Sequence, residues 1–317
     1  GQLAMYARSR GFMKDMPALM LAILTARGET ALLKSIFNTV VNNGRMLRNY
    51  VQIVRSGVTG RKSFGSAPKK LINNWILSRD SNKLFADTVG NDPSLVDVIN
   101  MTHPLPKNKE QEALLGYIKG KTIVSRVSDK KAQVSKSKLP ELVLEWEAFK
   151  ANPSESESIP DVPIQMVGSF TLTTKQWRDK ALQLPWTALR MNLNTLLRNK
   201  CFEGTGSETF TKKIVAKLTD EKSIRAAHIF PYQLFQAFRS VESSMPVAIT
   251  NALQDAMEIA VSNVPKIDGG IAIAIDVSGS MGSAATQSAG QNRYTGTSNP
   301  IRCVDVAALT AVALMRT

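Results

Sequence analysis

Apolar residues recur at three- and four-residue spacing through most of the first 264 positions. The runs are Met16–Ala26, Thr30–Val41, Leu71–Leu77, Leu139–Phe149, Leu184–Leu197, Tyr232–Val241 and Val247–Val261. This spacing puts an apolar stripe along one side of a helix and excludes the two-residue alternation of a half-buried strand. Each stripe must be covered by a neighbour, so many short helices at similar spacing predict a helical-repeat arrangement in which pairs pack on adjacent pairs. Breakers separate the runs. Asp92-Pro93 sets a cap residue before a proline at the first helical position and predicts a helix through Asn100. Ser66-Ala67-Pro68 and Ser244-Met245-Pro246 are similar start signals. Asn152–Pro163 is acidic, Ser-rich and proline-punctuated, the composition of a surface loop, and Lys119–Lys138 reads as a strongly basic loop.

After Pro265 the pattern changes. Ile271–Ile275 is apolar without alternation, as in a strand buried on both faces of a parallel sheet, and it runs into Asp276-x-Ser278-x-Ser280. At the end of such a strand, one carboxylate and two hydroxyls at alternate positions can converge on one small ion. All three are hard oxygen donors, which suit a divalent cation such as Mg²⁺, Mn²⁺ or Ca²⁺ and suit Zn²⁺ poorly. Mg²⁺ is the first expectation. The other reading of these residues is a Ser/Gly turn whose Asp caps the following backbone. A Gly/Ser/Thr/Asn-rich stretch, Gly282–Pro300, and one apolar helix, Ile301–Arg316, complete the chain.

The net charge is +14, and it is unevenly placed: residues 1–70 hold 12 Lys/Arg against two acids, residues 71–150 hold 12 against 10. A regional excess of this size predicts a polyanionic partner at the N-terminal third, because neutralised phosphates release counterions. Within Asn43–Trp75, Arg45, Arg48 and Arg55 fall on roughly one side of a helix. Arg61 and Lys62 sit in a turn flanked by Gly57, Gly60 and Gly65, and Lys69 and Lys70 stand near the next helix start. Cations around exposed backbone N–H groups form a phosphate-contacting surface. Two cysteines without a CxxC spacing predict a reduced, cytoplasmic setting, and no apolar run approaches the about 20 residues of a membrane span. The only histidines, His103 and His228, lie far apart and give no acid/base pair; no Walker loop, nucleophile elbow or zinc spacing is present, so no enzymatic activity is expected.

Several segments, in order, resemble the TROVE module of Ro autoantigen-type proteins. They are Gly57, Gly60-Arg61, Ser66-Ala67 and Trp75; then Thr102-His103-Pro104-Leu105-Pro106; then Leu184-Pro185-Trp186-Thr187-Ala188-Leu189 with Leu196-Leu197-Arg198-Asn199; then His228-Ile229-Phe230-Pro231-Tyr232-Gln233-Leu234. Asp276-x-Ser278-x-Ser280 in turn resembles the metal-ion-dependent adhesion site of von Willebrand factor A-like domains. The resemblance implies a mostly α fold: a HEAT-like helical-repeat ring over residues 1–264, followed over 265–317 by the first strand and helix of an α/β, doubly wound A-like domain. It implies binding of small structured noncoding RNA on a basic outer face and of single-stranded ends of misfolded RNA in a central hole, for RNA quality control or ribonuclease tethering. His103 gains an RNA-contacting role only through this motif. Later loops of an A-like domain supply a further Thr and Asp to the metal, and these positions are absent here. With Gly1 at the start and Met315-Arg316-Thr317 inside a helical pattern, the chain is expected to be a fragment cut at both ends.

One departure bears on specificity. Where the family carries basic residues shortly before its Ser-His motif, this chain has Ala86-Asp87-Thr88-Val89-Gly90, with Lys83 the nearest cation. Contacts to one particular structured RNA are therefore not implied. A rival class is a protein-interaction scaffold in which the metal captures a carboxylate of a protein partner, such as a ribonuclease. A ribonuclease activity of the chain itself would need a further acidic or histidine cluster, and the sequence offers none.

Overall fold

Residues 1–264, 266–285 and 301–316 are described in the computed structural model. Most of the Gly/Ser/Thr/Asn-rich stretch after Gly282 lies outside them. The chain forms two compact units, one of residues 1–156 with 160–171 and one of residues 157–159 with 172–317. The 264/265 boundary of the sequence reading falls inside the second. No helix among the described residues is long and apolar enough to cross a membrane.

The first unit runs α1 (Gln2–Ser9), α2 (Asp15–Arg27), α3 (Thr30–Val40), α4 (Gly44–Ser56), α5 (Ser66–Ser78), α6 (Ser81–Ala86), α7 (Leu95–Thr102), α8 (Lys109–Ile118), β1 (Thr122–Val124), β2 (Gln133–Ser135), α9 (Glu141–Ala151) and α10 (Ile164–Val167). Helix α2 packs on α1, α3 and α4, and α5 packs on α3 and α7. Leu21, Leu33, Leu47, Tyr50, Ile72 and Ile76 fill the space between them and are almost fully buried. Burying each such side chain contributes about 1.5–3 kcal/mol. Tyr50 stands edge-on to Phe37 with centroids 5.4 Å apart and lies 6.2 Å from Phe64. Its hydroxyl donates to Thr25 Oγ1 at 2.7 Å, since the Thr25 proton is committed to the Leu21 carbonyl at 2.9 Å. Trp75 Nε1 donates to the Val41 carbonyl at 2.6 Å, giving a buried indole its partner. A second aromatic cluster joins Trp146, Phe149 and Phe170.

The second unit runs α11 (Thr174–Gln183), α12 (Trp186–Met191), α13 (Leu193–Arg198), α14 (Ser207–Leu218), α15 (Glu221–Ala227), α16 (Pro231–Ser240), α17 (Val247–Val261) and α18 (Cys303–Arg316). Helix α17 packs on α14, α15 and α16, and α18 on α16. Trp186 Nε1 donates to the Leu218 carbonyl at 3.0 Å, and Lys217 Nζ reaches the Leu182 and Leu184 carbonyls at 2.6 and 3.0 Å. One side chain thereby satisfies two of the carbonyls left open at the end of α11.

The structure corrects four details of the sequence reading. The run Leu184–Leu197 is two helices, because Asn192 at the junction turns its amide onto the Ala188 carbonyl at 2.7 Å and competes with the backbone there. Ser94, not Asp92, caps α7. Its Oγ accepts from Asp97 N at 3.1 Å and Asp97 Oδ2 accepts from Ser94 N at 2.9 Å, a reciprocal capping box. Asp92, at φ 58°, lies outside the helix. The basic loop Lys119–Lys138 contains a short parallel pair, Thr122 with Gln133, Ile123 with Val134 and Val124 with Ser135. Ile271–Ile275 forms no strand and is exposed, with Ile271, Ile273 and Ile275 at 43, 37 and 40%. A strand is buried by its neighbours, and among the described residues none lies alongside to take its backbone hydrogen bonds.

Candidate functional site

Helix α4 starts where the Asn43 side chain accepts from Met46 N at 3.0 Å, and it ends at Gly57, whose φ of 78° closes it in the left-handed region. Met46, Leu47, Tyr50, Val51 and Val54 face the core. The arginines of the opposite side divide. Arg45 is exposed. Arg55 is exposed and rests on Met101, with Nη1 2.6 Å from the sulfur. Arg48 is half-buried; its Nη1 donates to the Asp87 carbonyl at 2.8 Å. Burial pulls the Arg48 guanidinium below the usual arginine range, with Asp87 opposing and Arg45 adding to the shift.

Asp87, just after α6, holds two other elements, the start of α4 and the residue that follows α5. Oδ1 accepts from Gly44 N at 3.0 Å, at the first position of α4, where a carboxylate suits the helix dipole. Oδ2 accepts from Arg79 Nε at 2.8 Å, and Arg79 lies 4.9 Å over the Trp75 ring. A Cβ at position 44 would stand 2.6 Å from Asp87 Cβ, so glycine is needed for this approach.

The turn between α4 and α5 holds two cations with different surroundings. Arg61 Nε donates to the Ser63 carbonyl at 2.7 Å and Nη1 to the Thr25 carbonyl at 3.2 Å. Its guanidinium thus ties the turn to the end of α2, beside the Thr25–Tyr50 bond. Lys62 is exposed, as are Lys69 and Lys70 on the first turns of α5. The turn's own N–H groups are partly spent: Gly57 N donates to Val54 O at 3.3 Å, Gly60 N to Gly57 O at 2.9 Å and Val58 N to Ser56 Oγ at 3.3 Å. In this turn the exposed side-chain cations offer more open donors than the backbone does.

His103 ends α7 at φ 52° and is exposed. Together with Pro104, Leu105, Pro106, Lys119 and Lys121 it lines a cavity of about 480 Å³. The lysines of this cavity were not among the sequence-derived candidates. Their signal was present in the basic 119–138 stretch, but the acids of residues 71–150 masked it when charge was summed over the longer window.

In the second unit, residues 276–280 form a tight exposed loop. Asp276 Oδ1 accepts from Ser278 N at 2.8 Å, and this backbone bond, with the Ser278 hydroxyl, holds the carboxyl below its usual range. The Ser278 and Ser280 hydroxyl oxygens are 3.1 Å apart. The capping turn and the convergence of donors therefore coexist. Three hard oxygens from one loop fit half of the about six that Mg²⁺ takes. Among the described residues, no group of three His, Cys, Asp or Glu offers another metal site.

Residues 178–248 match the TROVE domain family model. Over these residues the chain is similar to a TROVE domain. The matched region contains the Leu184–Asn199 and His228–Leu234 motifs and begins at Arg178, whose guanidinium gathers the Cys201, Glu203 and Thr205 carbonyls at 2.8, 2.6 and 2.7 Å. The crystal structure of the Deinococcus radiodurans RO (RSR) protein shares the fold: TM-score 0.58 at 19% identity, over 83% of this chain and 56% of that one. The chain thus spans just over half the length of that protein. No curated protein matches it by sequence.

Proposed function

We propose that this chain is a TROVE-type protein that binds RNA through the exposed cations of α4, the following turn and α5 in its first unit, and has no catalytic role. The observation that carries this reading is that Arg45, Lys62, Lys69 and Lys70 are exposed along α4, the following turn and α5, and none forms an ion pair among the described residues. Unpaired cations on one stretch favour phosphate oxygens, which position a nucleic acid without reading its sequence. The ordered motifs that resemble Ro autoantigen-type proteins, two of them inside the TROVE match over residues 178–248, support the further reading that the ligands are small noncoding RNA and ends of misfolded single-stranded RNA, handled in cytoplasmic RNA quality control or ribonuclease tethering, on a helical-repeat ring.

The converging Asp276, Ser278 and Ser280 oxygens support a second element. A divalent cation, Mg²⁺ first, held there as the start of an A-like domain would leave positions open for a carboxylate of a protein partner.

The RNA reading is tested by fluorescence anisotropy of a labelled single-stranded RNA across a salt series. Log affinity is expected to fall linearly with log salt, by about 0.7 per phosphate contact. Replacing Arg45, Lys62, Lys69 and Lys70 by Gln should shallow that slope by up to about 2.8. Salt-independent binding, or none, would overturn it.

A further inference from the structure

The basic loop between α8 and α9 folds back on α8 through the β1–β2 pair. Gly116 permits this: a Cβ there would stand 2.6 Å from Val134 Cγ1 and 3.1 Å from Lys121 Cδ. The result is a second cavity of about 240 Å³, lined by Lys109, Lys121, Lys130 and Lys138 with Ser135 and Glu112. Lys121 and Glu112 also line the His103 cavity, so the two are neighbours with a shared wall. Lys121 Nζ donates to the Lys130 carbonyl, which fixes one ammonium at that wall.

Residues 119–138 hold seven Lys/Arg and a single acid, Asp129. Asp129 Oδ1 accepts from Lys131 N at 2.8 Å and is occupied within its own turn. Glu112 lies in both cavities but makes no ion pair with any of these lysines among the described residues. Four lysines and one glutamate line this small space, an excess of three positive charges that attracts an anion. The space is below the about 300–1,000 Å³ of pockets that enclose whole drug-sized ligands. It suits a phosphate group. The neighbouring cavity falls inside that range and presents Pro104, Leu105, Pro106 and the His103 ring, with Leu105 81% exposed. Apolar and ring surfaces of this kind receive an unstacked base.

Building on the RNA-binding reading, we propose that these cavities hold one nucleotide step of single-stranded RNA, the base against His103 and Leu105 and the adjoining phosphate among Lys109, Lys121, Lys130 and Lys138. The site requires a base free to leave its stack, so it selects single strands over duplex. It lies apart in sequence from the α4–α5 cations and adds to them.

The test uses the whole chain carrying K109Q/K130Q/K138Q, all at exposed positions, and separately L105D. Each is titrated against a single-stranded RNA and a blunt duplex of the same sequence over a salt series, with circular dichroism to check folding. The triple variant should shallow the single-strand slope by about 2, from three contacts at about 0.7 each. L105D should weaken single-strand binding about tenfold, and duplex affinity should change less than twofold in both. If wild type binds with a salt-dependent slope and both variants match it, the site is refuted while the general RNA reading stands. Equal losses on single strand and duplex refute the unstacked base. A wild type without salt-dependent binding refutes both readings together.

Discussion

Arg61 separates the two roles that a cation in this region can have. Its guanidinium spans the Ser63 and Thr25 carbonyls, at 2.7 and 3.2 Å, with a planar fork that lysine cannot reproduce. Charged hydrogen bonds each contribute about 1.5–3 kcal/mol when shielded. Two corrections lower that figure here. Arg61 is half-exposed, so water replaces part of what is lost, and the Thr25 carbonyl keeps a long bond from Gly28 N at 3.3 Å. Arg61→Gln should therefore destabilise the first unit by about 1–2 kcal/mol. A domain of this size shifts by roughly 2–4 °C per kcal/mol, so the melting midpoint should drop about 2–8 °C. Lys62→Gln, one residue on and exposed, should move it by less than about 1 °C. The assay is thermal denaturation followed by circular dichroism, paired with RNA titration well below the midpoint, where both variants are folded. There Arg61→Gln should leave affinity within about twofold, whereas Lys62→Gln should lose the effect of one phosphate contact. An unchanged midpoint with a tenfold loss of affinity for Arg61→Gln would refute the reasoning, because Arg61 would then face the ligand and not the Thr25 carbonyl.

Two further outcomes are expected. Burial pushes the Tyr50 hydroxyl up to about 12 from an ordinary 10, the Thr25 bond opposing. A raised folded-state value means that stability is full below pH 10 and is lost as pH rises through 12. Wild type should lose on the order of 2–3 kcal/mol more than Tyr50→Phe over that window in urea titrations, and parallel pH curves would show the hydroxyl to be solvated. Asp276→Ala should abolish Mg²⁺ binding by calorimetry, since it removes the only charged donor of the loop, and should leave RNA affinity within about twofold. Equal metal affinity in the variant would remove the metal assignment, and a tenfold, Mg²⁺-dependent loss of RNA binding would show the ion contacting RNA.

The helices were readable because helical amphipathicity is a local property. Spacing of three and four residues marked α2, α3, α9, α16 and α17 within two positions of their ends, and α5 with the help of its Ser66-Ala67-Pro68 start signal; the backbone of each needs no distant partner. Ordered short motifs likewise located the TROVE resemblance, two of them inside the matched span 178–248. Strands were not readable in this way. Thr122–Val124 and Gln133–Ser135 pair across an unremarkable basic loop, while the more strand-like Ile271–Ile275 stays exposed, because strand formation depends on what lies alongside. The candidate site shows the same limit. Sequence alone placed Arg45, Arg48, Arg61 and Lys62 in one basic segment and treated them as equals. Only the fold brings Asp87 to Arg48, 39 residues away, and Arg61 to Thr25, 36 residues away, and so decides which cations hold the protein together and which stay exposed. Composition fixes how much charge a segment carries; whether that charge is free is set by contacts between residues far apart in the chain.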